Sequence, residues 1–321
     1  MCRRPSGRQP TARRREGFLP AQNEPHNALD SAHTPHTERK RHSPAPGTRV
    51  LRTGSGCLAV WLDSHCHVTA DAFSDDRADV LDRADAAGIE AFVGIGSGYG
   101  VALNARAVAL AEEDARVFAT VGVHPHEASE LDDAGRARLT DWLDHPRVVG
   151  VGECGLDYHY TNSPREIQRE VFAEQLGWAR ERALPVSLHV RGDEPDAFGE
   201  TLEIWRAEGD GALEGVLHCY TGSTEFAHRA LDAGLLVSFS GILTFPSAAD
   251  LRETARSLPL DRLLVETDAP LLAPQGHRGA RNEPAWVGVV GTALAKAQER
   301  PVEEVAAITT RNARRLFGLA S

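Results

Sequence analysis

From residue 58 onward the chain alternates short apolar runs with longer amphipathic ones. That alternation limits the possible folds more than any other feature of the sequence. The runs at 58–66, 91–97, 117–123, 148–154, 185–190, 215–219, 235–240 and 263–267 are short and apolar, as buried strands are. A helical pattern follows each, at 77–87, 101–114, 134–145, 164–183, 197–208, 224–233, 248–257, and finally 284–299 with 302–317. The longest has a start signal, Ser163-Pro164-Arg165-Glu166, which predicts a capping box with proline at the first helical position. Ile167, Val171, Phe172 and Trp178 supply its apolar stripe. Eight strand–helix units in ~260 residues fit a (β/α)8 TIM barrel in number and length. An open, doubly wound sheet is the rival, and the placement of the polar residues favours closure.

In such a barrel the chemistry sits where the strands end. The first strand ends at His65 and His67, the third at His124 and His126, and the fourth at Glu153. The fifth ends at His189, the sixth at His218 and the eighth at Asp268. Residues two apart on an extended chain point to the same side, so His65 and His67 project together. An isolated His-x-His is more often a surface pair than half of a metal site, and the recurrence is what decides here. Of fourteen histidines, four precede residue 57 and six lie at these strand ends. Imidazole with carboxylate suits Zn²⁺, Mn²⁺ or Fe²⁺, whereas oxygen-only sites suit Mg²⁺. Six ligands are too many for one catalytic ion that keeps an open position, but they fit two ions sharing a bridge. Glu153 is the natural bridge, and Asp268 can bind one ion while orienting or deprotonating a water.

Composition adds limits. Hydrophobic residues make up 41% of the chain, enough for a large core, and no apolar run approaches the ~20 residues that span a bilayer. The cysteines at 2, 57, 66, 154 and 219 are odd in number and not closely paired, so we expect a reduced, cytoplasmic protein without disulfides. Residues 1–56 hold eleven Lys/Arg against four Asp/Glu, a net of +7, which leaves −18 on the remainder to give the total of −11. With no hydrophobic period, a tail over 1–57 cannot offset its ordering entropy and is expected to be disordered. It is either a basic arm for nucleic acid or sequence upstream of the true start. The second is the expectation here, with a barrel domain over 58–321.

Several spaced motifs carry a family resemblance. His65-Cys66-His67, Gly152-Glu153-Cys154-Gly155-Leu156-Asp157-Tyr158, His218-Cys219-Tyr220-Thr221-Gly222-Ser223 and Glu266-Thr267-Asp268-Ala269-Pro270-Leu271 resemble the TatD family of metal-dependent hydrolases. The run Arg278-Gly279-Ala280-Arg281-Asn282-Glu283-Pro284 adds to the match, which covers 61–318 and omits the tail. The resemblance implies an amidohydrolase-like (β/α)8 barrel and a divalent-metal-dependent deoxyribonuclease. It implies two divalent ions per chain, Mg²⁺, Mn²⁺ or Zn²⁺. His65, His67, Glu153 and Asp268 would hold one ion, and Glu153, His189 and His218 the other. His124 and His126 are similar to family residues near the substrate, and Arg278 and Asn282 would hold phosphate or the strand backbone. The sequence departs from the family at Cys154, at Ala280 where a lysine is usual, and in the acidic Val190-Arg191-Gly192-Asp193-Glu194 after His189. Those differences bear on substrate preference.

Tyr158, Tyr160, Phe245 and Trp286 are candidates to stack on a base, although rim aromatics more often only pack. Asp63 is a candidate to hydrogen-bond a histidine and orient its ring; Arg281 is as well suited to bracing its loop, and Cys66 and Cys219 to filling the barrel. An acidic barrel argues against a broad DNA-wrapping surface, because nonspecific affinity comes from basic residues on phosphate. A narrow pocket taking a strand end stays open to it. The expected partner is therefore single-stranded or frayed DNA; the family resemblance implies cutting from its 3′ end, and we expect a monomer. A metal-dependent amide or ester hydrolase on the same barrel is the alternative, because fold does not fix function. A noncatalytic metal-binding scaffold is the third reading, and the intact Asp268 argues against it.

Overall fold

The computed structural model describes residues 59–194, 196–209 and 211–319; the expected disordered tail over 1–57 lies outside the described residues. Strands and helices alternate as β1 (Trp61–Cys66), α1 (Arg77–Ala86), β2 (Ile89–Ile95), α2 (Asn104–Glu113), β3 (Val117–Val121), α3 (Asp133–Leu143), β4 (Val148–Asp157) and α4 (Arg165–Arg182). They continue as β5 (Val186–Arg191), α5 (Asp196–Gly209), β6 (Gly215–Leu217), α6 (Thr224–Asp232), β7 (Leu235–Phe239), α7 (Ala249–Ser257), β8 (Leu263–Val265), α8 (Val287–Ala297) and α9 (Val302–Leu316). The eight strands pair in sequence order and every pair is parallel. This is the TIM barrel that the alternation predicts.

The strands read as solidly apolar because both faces are covered. Inward-facing Leu62, Val93, Val216, Leu236 and Leu264 pack with Leu316, Phe317 and Leu319, which plug the floor of the barrel. Their neighbours Phe92, Leu217, Leu235, Val237, Leu263 and Val265 belong to the layer shared with the helices. Alternation places residues two apart on the same face. The inward row therefore runs from Val216 to His218, from Leu236 to Ser238 and from Leu264 to Glu266. The barrel has an apolar floor and a polar ceiling.

Ladder pairing runs from β1 round to β8, and the seam between β8 and β1 is closed differently. Asp268 N donates to His65 O at 2.9 Å and His67 N donates to Ala269 O at 2.8 Å. Ser64 Oγ donates to Val265 O at 3.0 Å. The buried Asp63 carboxylate accepts from Thr267 N at 2.9 Å and from Thr267 Oγ1 at 2.5 Å.

The expected capping box of α4 does not form. Pro164 is the N-cap and no side chain caps the helix. The Ser163 hydroxyl instead donates to His126 O at 2.8 Å and accepts from Ser129 N at 3.0 Å, tying down the turn after β3. Strand β4 is longer than expected because the residues after Glu153 keep pairing with β5 as far as Asp157 opposite Arg191. No helix among the described residues is long and apolar enough to cross a membrane.

Candidate metal centre

The end of β1 and the segment after β8 build one donor group. The Nε2 atoms of His65 and His67 stand 3.4 Å apart. Asp268 Oδ1 lies 3.7 Å from His65 Nε2 and 3.5 Å from His67 Nε2. Glu153 Oε2 lies 3.5 Å and 3.6 Å from the same two nitrogens. Donors ~2.1 Å from a common centre in a tetrahedral arrangement are roughly 3.4 Å apart. The spacing and the nitrogen/carboxylate chemistry of these four atoms therefore fit a divalent ion.

The other oxygen of Glu153 faces a second group. Its Oε1 lies 2.7 Å from His189 Nδ1, 2.7 Å from His218 Nε2 and 3.5 Å from His124 Nε2. Donor atoms of His65, His67 and Glu153, of His65, His218 and Asp268, and of His124, Glu153 and His189 each gather within 4.8 Å. His124 thus stands among the possible ligands, although the sequence suggests only a substrate contact for it. The local chain explains how β4 comes so close to β5. Gly155 has φ +143°, and a Cβ there would meet His189 O at 2.1 Å; any other residue would push the two strands, and Glu153 and His189 with them, apart.

A second layer of polar groups holds these histidines. Asp157 Oδ2 lies 3.3 Å from His189 Nε2 and 2.8 Å from His126 Nε2, joining the two rings. Glu266 Oε1 lies 3.3 Å from His218 Nδ1 and accepts from Cys219 N at 2.7 Å. Ser187 Oγ sits 3.2 Å from His65 Nδ1, and the His65 and His218 rings stack at 3.9 Å. Such contacts fix ring orientation and tautomer. Asp157 and Glu266 lie inside motifs that were legible, but nothing in the spacing assigns them this backing role. Ser187 carried no signal at all.

Asp63 does not orient a histidine ring. Its carboxylate is occupied by Thr267, and its nearest approach to His65 is the backbone nitrogen at 3.4 Å. Burial pushes this carboxyl up to about 8 against the pull of the Thr267 bonds.

The electrostatics favour a bound cation. Glu153, Asp157, Glu266 and Asp268 are all buried, and buried carboxylates need compensating charge. Burial pushes Glu153 toward protonation, but His218, His124 and His189 outweigh it and hold the carboxyl well below the usual range. The same balance lowers Asp268, where His67 and His65 overcome burial. Burial drives His124 well below its ordinary value, against the pull of Glu153.

Other expected contacts lie further out. His126 faces Asp157 through Nε2, and Arg278 is exposed with its guanidinium 4.0 Å above the Phe245 ring. Asn282 is not available to a substrate. It is buried, its Nδ2 donates to Thr267 O at 2.8 Å and Leu271 O at 2.6 Å, and its Oδ1 accepts from Glu283 N at 2.9 Å. Two backbone carbonyls and one backbone N–H claim the whole amide. Arg281 braces its loop by pairing with Asp76 at 2.7 Å. Tyr158 is buried and donates to Glu200, and Trp286 stacks on His277 at 3.9 Å. Cys66 and Cys154 are buried and Cys219 half-buried, all three free thiols.

A parallel barrel with histidines and carboxylates converging at the carboxyl ends of its strands defines a metal-centred barrel hydrolase. The family model for TatD related DNase matches residues 62–318. A metal-dependent hydrolase from Bacillus subtilis, YabD, is 39% identical over 256 residues, 80% of this chain and 98% of that protein. The 3′-5′ ssDNA/RNA exonuclease TatD of Cronobacter turicensis is 36% identical over 261 residues, 80% of this chain and 97% of that protein. Among solved structures, YJJV, a TatD homologue from Escherichia coli, superposes with a TM-score of 0.75 at 30% identity, covering 81% of this chain and 98% of that one. The chain belongs to the TatD related DNase family and is a metal-dependent hydrolase.

Proposed function

We propose that this chain is a 3′-5′ exodeoxyribonuclease that hydrolyses phosphodiester bonds at single-stranded or frayed DNA ends, using two divalent ions, Mg²⁺, Mn²⁺ or Zn²⁺. The observation that carries the reading is the division of Glu153. One oxygen faces His65 and His67, and the other faces His189 and His218. A carboxylate so placed suits a bridge, and the relative from Cronobacter turicensis named a 3′-5′ ssDNA/RNA exonuclease supports the substrate class. In this reading His65, His67, Glu153 and Asp268 hold one ion, and Glu153, His189 and His218 the other, with His124 beside the second. Ions held there would lower the pKa of a water and offset charge on the attacking and leaving oxygens.

The chain's own groups supply the rest. Asp268, whose carboxyl His67 and His65 hold below its ordinary value against burial, accepts a proton from the attacking water. The water oxygen bonds to phosphorus, the P–O3′ bond breaks, the freed 3′ oxygen of the shortened strand takes a proton from solvent, and a nucleotide bearing a 5′-phosphate leaves. Arg278, exposed on the loop after β8, holds a phosphate oxygen. We read the protein as a cytoplasmic monomer acting on strand ends.

Protein stripped of metal and then reloaded should release mononucleotides from a single-stranded oligodeoxynucleotide. Arg278→Ala should weaken that turnover with metal content unchanged. Steady hydrolysis of acyl or cyclic-amide substrates, with no oligonucleotide cleavage under any of the three ions, would overturn the reading in favour of an amide or ester hydrolase.

A further inference from the structure

The loop after β2, Ser97-Gly98-Tyr99-Gly100, presents an aromatic ring at the mouth of the barrel, and sequence patterning gave no hint of it. Tyr99 is 40% exposed, yet its loop is fastened. Gly98 and Gly100 have φ of +95° and +102°, a backbone region that side chains with a Cβ rarely enter. Both of their N–H groups donate to one carboxylate, that of Glu127: Gly98 N to Oε2 at 3.4 Å and Gly100 N to Oε1. Glu127 is itself buried in the turn after β3. A Cβ on Gly98 would stand 3.3 Å from His67 Cε1, so the loop backbone lies against that imidazole. The Tyr99 ring meets the His67 ring edge-on, centroids 5.3 Å apart.

A glycine-flanked loop left to itself would sample many conformations, and a buried carboxylate that gathers two of its amides removes that freedom. The product is a fixed apolar face beside the donor group of His65, His67 and Asp268. The other rim aromatics are differently occupied. Arg191 covers the Tyr160 ring at 4.7 Å and Arg278 covers Phe245 at 4.0 Å.

We infer that Tyr99 stacks on the terminal base of the strand being cleaved, and that Glu127 is the positioning residue that aims it. This rests on the nuclease reading above. Base–aromatic stacking is tolerant of sequence, and a ring ordered before binding loses little entropy when it engages.

The test compares kcat and KM of the metal-loaded chain on two oligodeoxynucleotides, one ending in an intact 3′ nucleotide and one whose last sugar is abasic. Tyr99→Ala should lose roughly 5- to 150-fold in kcat/KM on the intact end, mostly through KM, as loss of one stacked base predicts. Tyr99→Phe should match the unmutated chain. On the abasic end, Tyr99→Ala and the unmutated chain should be equal. Glu127→Gln, which sets an amide NH₂ against one loop N–H, should show part of the Tyr99→Ala loss on the intact end only, with metal content unchanged. Equal loss on both ends, or Tyr99→Phe as impaired as Tyr99→Ala, would overturn the stacking role. Glu127→Gln at full activity would overturn the aiming role. Failure of the unmutated chain to cleave either oligonucleotide would sink the nuclease reading itself, and this proposal with it.

Discussion

Glu153 is the residue on which the proposed centre turns, because its two oxygens face two different sets of nitrogens. Glu153→Gln keeps the volume but puts an NH₂ where one oxygen was, and so weakens a shared ligand. Metal analysis by mass spectrometry should then find both ions depleted together. His189→Asn should release mainly the second ion, since the His189 ring faces Glu153 Oε1 and Asp157 rather than His67. Two tightly held ions in Glu153→Gln would dismiss the bridge.

Among the elements, the segment after β8 shows where sequence reasoning succeeds and where it stops. Its apolar run and the Asp268 that follows were legible, as were the other strand ends, because burial on both faces leaves solid apolar runs that stop where the chemistry begins. Asn282 was not. A polar residue in a motif looks the same whether its amide meets a ligand or two carbonyls of its own chain, and only the fold shows Thr267 and Leu271 within reach. The Ser163 cap failed for a similar reason, a competing long-range partner in His126 O. Asn282→Ala should therefore act on stability. Each buried carbonyl left unpaired costs about 1–3 kcal/mol, readable as a lower urea midpoint with unchanged slope. Unchanged stability with lost DNA binding would restore the substrate role.

At the scale of the molecule, the −18 of residues beyond 56 and the +7 before it set two parts of the chain against each other. We propose that the basic part is dispensable for chemistry. A chain beginning at residue 58 should bind metal and turn over a short oligonucleotide as the full chain does, because every candidate ligand lies beyond it. A large loss of catalysis would contradict this. A loss confined to long DNA and steep in salt would instead mark the basic segment as a nucleic-acid arm.

The seam between β8 and β1 gives the centre a mechanical meaning. His65 and His67 leave the first strand, Asp268 follows the last, and only a few bonds join the two sides there. Any ion shared by those three residues would act as a clasp between the two ends of the barrel wall. Removing it should loosen the ring at that point before any other. Hydrogen exchange on chelated protein should thus speed up first at the amides of His67, Thr267 and Asp268, while those of β3 and β4 stay protected. An ion placed there for hydrolysis would then also decide whether the cylinder stays shut.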